Sequence, residues 1–209
     1  MTSPGVPTLR ERKRERTRAA IVAAGTDLFA RVGYDETTVA DIAAAADIGT
    51  RTFFSYFASK EELLFPASDA RVSAALRAID ARRPVDRPVD VLLQSLLDVR
   101  ASDDDDLVGG LAGLRMSLMR TVPAVRGRSL QVQLDAQRTI AQHLAQAFPE
   151  LGDVDANAIV GAFIGAVTGA LGVLLAGPAD ALDASGAALT RDELFARVHG
   201  SVRQALAPR

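Results

Sequence analysis

Residues 37–60 read TTVADIAAAADIGTRTFFSYFASK, and four aromatics, Phe53, Phe54, Tyr56 and Phe57, fall within five positions beside Arg51. A core helix has no use for the arginine, and an ordinary surface helix has none for so many rings. The stretch resolves into two short helices. Thr38-Val39-Ala40-Asp41 is a T-x-x-D capping box that opens the first, with Val39, Ile42, Ala43 and Ala46 on its inner side. Asp47-Ile48-Gly49 breaks it. The second spans about 50–57, where Phe53 and Phe57, one turn apart, share the buried side.

Inner faces closed by Ile42, Ile48, Phe53 and Phe57 make a helix-turn-helix. Its second helix presents Thr50, Arg51, Thr52, Ser55 and Tyr56 outward, with Phe54 also on that side. Such a face suits the major groove of double-stranded DNA. Arginine donates two hydrogen bonds to guanine O6 and N7, and threonine or serine contacts base edges, thymine methyls or phosphates.

Outward from this stretch, the charge is uneven. The net charge is −2, yet residues 1–60 carry nine Lys or Arg against seven Asp or Glu, leaving fifteen against nineteen for the remainder. Arg10, Arg12, Lys13, Arg14, Arg16 and Arg18 face only Glu11 and Glu15 in the first eighteen residues. Beside a helix-turn-helix this basic arm predicts phosphate contacts through Arg12, Arg14 and Arg18. Lys60 and the amide-rich helix starts at Thr38 and Ser59 complete the bracket.

Three- and four-residue apolar spacing runs through the rest, and strand alternation is hard to find. A helix over about 10–31 places Ile21, Ala24, Gly25, Leu28, Phe29 and Val32 on one face, and Gly33 stops it. Ser59-Lys60-Glu61-Glu62 is a second capping box, opening a long helix over about 60–82. Pro66 predicts a kink near residues 62–66 or a slightly later start. Further helices are predicted at about 87–101, 105–121, 123–148, 153–176 and 190–206. The predicted fold is all-α, with about nine helices. It divides into a disordered tail (1–9), a helix-turn-helix DNA-binding domain (10–58) and a ligand-binding and dimerisation domain (59–209).

At 24% charged and 48% apolar the composition is globular. The chain has no cysteine, which excludes disulfides and thiolate metal sites and fits a reducing cytoplasm. The N-terminus lacks the apolar stretch of a secretory signal.

The stretch AAGTDLFARVGYDETTVADIAAAADIGTRTFFSYFASKEELL, residues 23–64, resembles the three-helix DNA-binding domain of the TetR family of bacterial transcriptional regulators from end to end. The later helices resemble that family's C-terminal domain in number and order. The resemblance implies a homodimer on a palindromic operator, usually a repressor released by a small molecule. Two residues depart from the family pattern. Gly49 stands where a serine cap is usual, and Phe54 replaces a frequent tyrosine, losing a hydroxyl for phosphate while keeping a ring for a thymine methyl. Tyr56 remains where the family commonly meets phosphate. A glycine is common at the place of Arg51, so guanine reading by Arg51 follows from its chemistry alone.

The run AIVGAFIGAVTGALGVLLAG, residues 158–177, is long enough to span a bilayer. Half of it is Gly or Ala, no cluster of basic residues or interfacial aromatics flanks it, and Gly161, Gly165 and Gly169 recur at four-residue spacing, so it reads as a helix-packing segment, with no membrane partner. By the family resemblance, this helix and the last one form the four-helix interface of the dimer. The acidic run at 103–106 reads as a solvated helix start, and His143 and His199 lack any supporting ligand pattern for a metal. No nucleophile elbow, phosphate loop or dinucleotide fingerprint is present, so neither an enzyme nor a cofactor is predicted.

The effector predicted is a hydrophobic small molecule in an aliphatic cavity, because the large domain has Leu, Val, Met and Phe but no Trp. Residues 114–137, LRMSLMRTVPAVRGRSLQVQLDAQ, resemble a TetR subgroup associated with acyl-CoA-like ligands. That likeness makes Arg115, Arg120, Arg126 and Arg128 candidates for phosphate or carboxylate contact. Met116, Met119 and Phe163 are candidate pocket walls. A membrane-associated helical protein and an all-α enzyme are the competing classes.

Overall fold

The computed structural model describes residues 8–66, 68–101, 107–108, 110–175 and 189–207. The acidic run at 103–106 and the tail before Thr8 lie outside the described residues. Helices account for the regular structure of the described residues, and they fall into two compact units divided after Pro66.

In the first unit, α1 (Leu9–Arg31) begins one residue earlier than predicted, on a capping box. The Thr8 hydroxyl oxygen accepts from the Glu11 N–H at 3.2 Å, and the Glu11 carboxylate accepts from the Thr8 N–H at 2.7 Å. The basic arm is therefore helical from Leu9 onward. Gly33, at φ +110°, ends the helix by donating to the Leu28 carbonyl, a geometry that favours glycine. Ile21, Gly25 and Phe29 are buried as predicted, but Val32, already past the last turn, is 53% exposed. The buried Tyr34 ring instead lies 5.2 Å from that of Phe29.

Helix α2 (Val39–Ala45) opens on the Thr38–Asp41 capping box and closes with Asp47 in the left-handed region, φ 54°. Helix α3 (Thr50–Phe54) has five residues and no side-chain cap at Gly49. It is shorter than the predicted 50–57 because the N–H groups of Ser55 and Tyr56 bond three residues back, to the Thr52 and Phe53 carbonyls, in place of the four-residue helical pattern.

The predicted helix over 60–82 is two elements. Lys60–Leu64 is a tight 3₁₀ segment, and α4 (Ser68–Asp80) starts beyond Pro66, which cannot donate to a continuing helix. The predicted second capping box does not form. The Ser59 side chain caps nothing, and the Glu62 carboxylate accepts from the Ala58 N–H at 2.8 Å. Leu63 and Leu64 are fully buried, and a Cβ on Gly25 would stand 2.3 Å from Leu63 Cδ1. This packing ties residues 60–66 to the first unit, so the unit extends past Ala58.

The second unit contains α4, α5 (Pro88–Arg100), α6 (Gly110–Thr121), α7 (Pro123–Ala147), α8 (Gly152–Leu174) and α9 (Arg191–Ala205). Pro88 and Pro123 occupy first helical positions, where a missing N–H costs nothing. Ile79, Leu92, Leu144, Val160, Val198 and Val202 are fully buried in one core. Arg82 ties the ends of α4 and α7 together, donating to the Ala147 carbonyl at 2.6 Å with its guanidinium over Phe148. His143 on α7 meets Asp80 of α4 at 2.7 Å.

Helix α8 is long and apolar enough to cross a membrane by length and composition, with a mean hydropathy of 1.9 and only 28% of that window buried. Val154, Ala158, Ala162, Gly165, Gly169 and Val173 form its exposed stripe. Gly161 is turned from that stripe toward Gln137 of α7, so the three glycines predicted on one face do not share it fully.

Candidate nucleic-acid interface

The reading surface is built from the buried side outward. Phe53 is fully buried and Phe57 is 3% exposed, their ring centres 5.9 Å apart, and they fasten α3 to α1 and α2 through the common core. With that side fixed, Thr50, Arg51, Thr52, Phe54 and Ser55 stand exposed together. Phe54 is 57% exposed, set edge-on against Phe53. The Ser55 hydroxyl donates to the Thr52 carbonyl at 2.7 Å. The predicted outward set is thus brought onto one surface, with Tyr56 half-buried at its edge.

Arg14 explains the burial of Tyr56. Its guanidinium carbon lies 5.3 Å from the centre of the Tyr56 ring, an attractive cation–π arrangement. Arg12, two positions before Arg14, is exposed. Thr38 is exposed at its cap, its hydroxyl donating to Asp41 at 2.6 Å. The Thr38 hydroxyl and backbone N–H hold the Asp41 carboxyl below its ordinary pKa.

Two predicted phosphate contacts are directed inward. Arg18 lies over Phe57 at 5.0 Å and donates to the Pro66 carbonyl at 3.1 Å. Lys60 donates to the carbonyls of Tyr34 and Thr37 at 2.6 and 2.9 Å, above the Tyr34 ring. Tyr34, Thr37 and Glu61 were not singled out from sequence. The Tyr34 hydroxyl donates to the Glu61 carboxylate, and the buried Thr37 hydroxyl donates to the Gly33 carbonyl at 2.6 Å. Burial, then the bond to Glu61, pushes the Tyr34 pKa up. For Glu61, burial is the largest single influence and raises the pKa, but hydrogen bonds from Ser59, Tyr34 and its own N–H, with the Lys60 charge, outweigh it and leave the carboxyl lowered. The only available signal for this cluster was the aromatic directly after the helix-ending Gly33.

In the second unit, Arg115 and Phe163 are buried, and Phe163 belongs to the main core. Met119 is half-buried, as is Met116, whose Cε lies 3.5 Å from where a Cβ on Gly172 would stand. Arg126 caps the end of α6 through the carbonyls of Met119 and Arg120, and Arg128 donates to Gln131. A cavity of about 170 Å³ lies between α5 and α9, lined by Leu96, Leu97, Arg100, Phe195, Val198 and His199. None of the four predicted pocket residues lines it. Burial, then the Arg203 charge, lowers the His199 pKa.

Residues 21–66 match the family described as "Bacterial regulatory proteins, tetR family", and residues 86–192, half of the chain, match "MftR C-terminal domain". The HTH-type transcriptional regulator TcmR of Streptomyces glaucescens is 35% identical over 127 residues, 60% of this chain and 56% of TcmR, so the chain spans just over half of that relative. The HTH-type transcriptional repressor Rv3405c of Mycobacterium tuberculosis is 30% identical over 141 residues, 65% of this chain and 72% of that protein. In fold, the chain is similar to Thermus thermophilus FadR, a TetR-family transcriptional repressor solved in complex with lauroyl-CoA. That likeness has a TM-score of 0.55 at 19% identity, over 92% of this chain and 96% of FadR. With the outward side of α3 exposed on a packed frame and a match within each of the two units, the chain belongs to the TetR family of bacterial regulatory proteins, DNA-binding regulators of transcription.

Proposed function

We propose that the chain is a cytoplasmic, homodimeric repressor that holds a palindromic operator and releases it when a hydrophobic small molecule binds the second unit. The observation that carries the DNA half is the division of α3 and the turn that follows it: Phe53 and Phe57 inside, Arg51, Thr52, Phe54 and Ser55 outside. Arg51 reads a base pair, Thr50, Thr52 and Ser55 add base-edge or phosphate contacts, Phe54 meets a thymine methyl, and Arg12, Thr38 and Tyr56 position the backbone. Support for repression comes from Rv3405c, which is described as a repressor.

The exposed stripe of α8 supports the homodimer. Small side chains at Ala158, Ala162, Gly165 and Gly169 allow two helices to approach closely, and a second copy removes the apolar face from water. Two half-sites are then engaged together, about 34 to 36 Å apart or a multiple of it. A long-chain acyl-CoA is the first candidate effector, since FadR holds lauroyl-CoA and the second unit carries a buried cation, Arg115, on the same helix as half-buried Met116 and Met119, with Phe163 in the core.

Selection of bound duplexes from a random pool tests the first half, and titration of lauroyl-CoA into free and duplex-bound protein tests the second. The selected duplex should lower acyl-CoA affinity by the factor by which acyl-CoA lowers duplex affinity, as linkage requires. Equal acyl-CoA affinities in the two states would sink the coupling.

A further inference from the structure

Lys60 is placed to organise the reading head from within. An ammonium carries three N–H donors, and two of those of Lys60 end on the carbonyls of Tyr34 and Thr37. Its charge rests 4.1 Å from the centre of the Tyr34 ring. The following residue takes the other end of that side chain, because the Tyr34 hydroxyl donates to Glu61. Tyr34 is therefore gripped at carbonyl, ring and hydroxyl by two consecutive residues.

The gripped carbonyls belong to the link between α1 and α2, which ends at the Thr38 cap, while Lys60 and Glu61 directly follow the turn that leaves α3. The contact joins the chain before the helix-turn-helix to the chain after it, closing residues 34–61 into a loop that contains both helices. Arg18 adds a second tie from α1, stacking on Phe57 and donating to Pro66. Moving the Lys60 ammonium out to a phosphate would strip two carbonyls of a charge-assisted donor and bare the ring.

We infer that Lys60, supported by Arg18, is a positioning residue that sets the pose of the recognition helix and does not contact phosphate. This rests on α3 being the base-reading helix. Pose governs base contacts, which need their geometry, far more than it governs the sequence-independent attraction to phosphates.

The test uses two probes of equal length and composition: a duplex selected from a random pool by the wild-type protein, and its scrambled counterpart. Binding is measured between about 50 and 200 mM KCl, at a temperature where each variant is fully folded by circular dichroism. Lys60→Met keeps the aliphatic stem and removes the donors. It should weaken the selected duplex about tenfold or more, weaken the scrambled one far less, and leave the log–log salt slope as in the wild type. Tyr34→Phe changes no charge and should lower the ratio of selected to scrambled affinity in the same direction. Arg12→Ala is the contrast: a slope flatter by about 0.9 for each protomer bound, about 1.8 for the dimer, and both duplexes weakened alike. A Lys60→Met protein that behaves like Arg12→Ala, or that binds both duplexes normally, would overturn the inference. Should Lys60→Met not fold, an unchanged ratio in Tyr34→Phe overturns it alone. A wild-type protein that enriches no duplex would end the base-reading assignment of α3, and the inference with it.

Discussion

Arg14 and Tyr56 are partners: the guanidinium carbon of one lies 5.3 Å from the ring centre of the other. An arginine from the basic arm thereby touches the residue that closes the reading surface. Arg14→Ala and Tyr56→Leu should each weaken operator binding, and a double-mutant cycle should give a coupling of about 0.5 to 1 kcal/mol. Strictly additive losses would mean that the two contact DNA independently.

Arg51 stands free to reach a base edge, exposed at the second position of α3. Arg51→Ala should cost about 1 to 3 kcal/mol at one operator position and relax preference there. Binding across a set of single-base operator variants checks this. Equal losses on every sequence would assign Arg51 to the phosphates.

Two glycines should respond oppositely to enlargement. A Cβ at Gly25 meets fully buried Leu63 at 2.3 Å, so Gly25→Ala should lower stability by about 1 to 3 kcal/mol in denaturant unfolding. At Gly165 a Cβ meets nothing within 4 Å of the protomer. Gly165→Leu should leave the protomer folded yet separate the copies in sedimentation, and operator affinity should fall because both half-sites are needed. A Gly165→Leu dimer with normal binding would move the interface elsewhere.

The hydrogen bonds at Glu61 have a pH signature. Its folded pKa lies below the ordinary 4.5. The associated stability is therefore fully present above pH 4.5 and is lost as pH falls through the lower folded value. Tyr34→Phe removes one hydrogen bond to the carboxylate, so the Glu61 titration, followed by carbon-13 shifts of the carboxyl, should move upward. No movement would remove the Tyr34 hydroxyl as a cause.

Features set by near neighbours were legible in the sequence. The Thr38–Asp41 box, the stop at Gly33 and the one-turn pairing of Phe53 with Phe57 each depend on residues within one turn, and all three form. Pro66 announced a break, but the apolar spacing of Leu63 and Leu64 continues past it, and periodicity alone cannot separate a 3₁₀ segment from a helix. The inward turn of Lys60 left no trace, because its partners are backbone carbonyls 26 and 23 positions away, which every residue type possesses. Pocket walls were equally hidden. Whether Met116 or Phe163 lines a space or fills one depends on how helices cross, and composition does not encode that.

Helix α3 has only five residues and begins on a glycine without a side-chain cap. A helix this short does not persist by itself in water. It exists here because Phe53 and Phe57 are seated in the first unit's core. Substitutions at exposed Arg51 and Thr52 should therefore leave the frame beneath them folded, whereas loss of either buried ring should unfold α3 without touching one outward side chain.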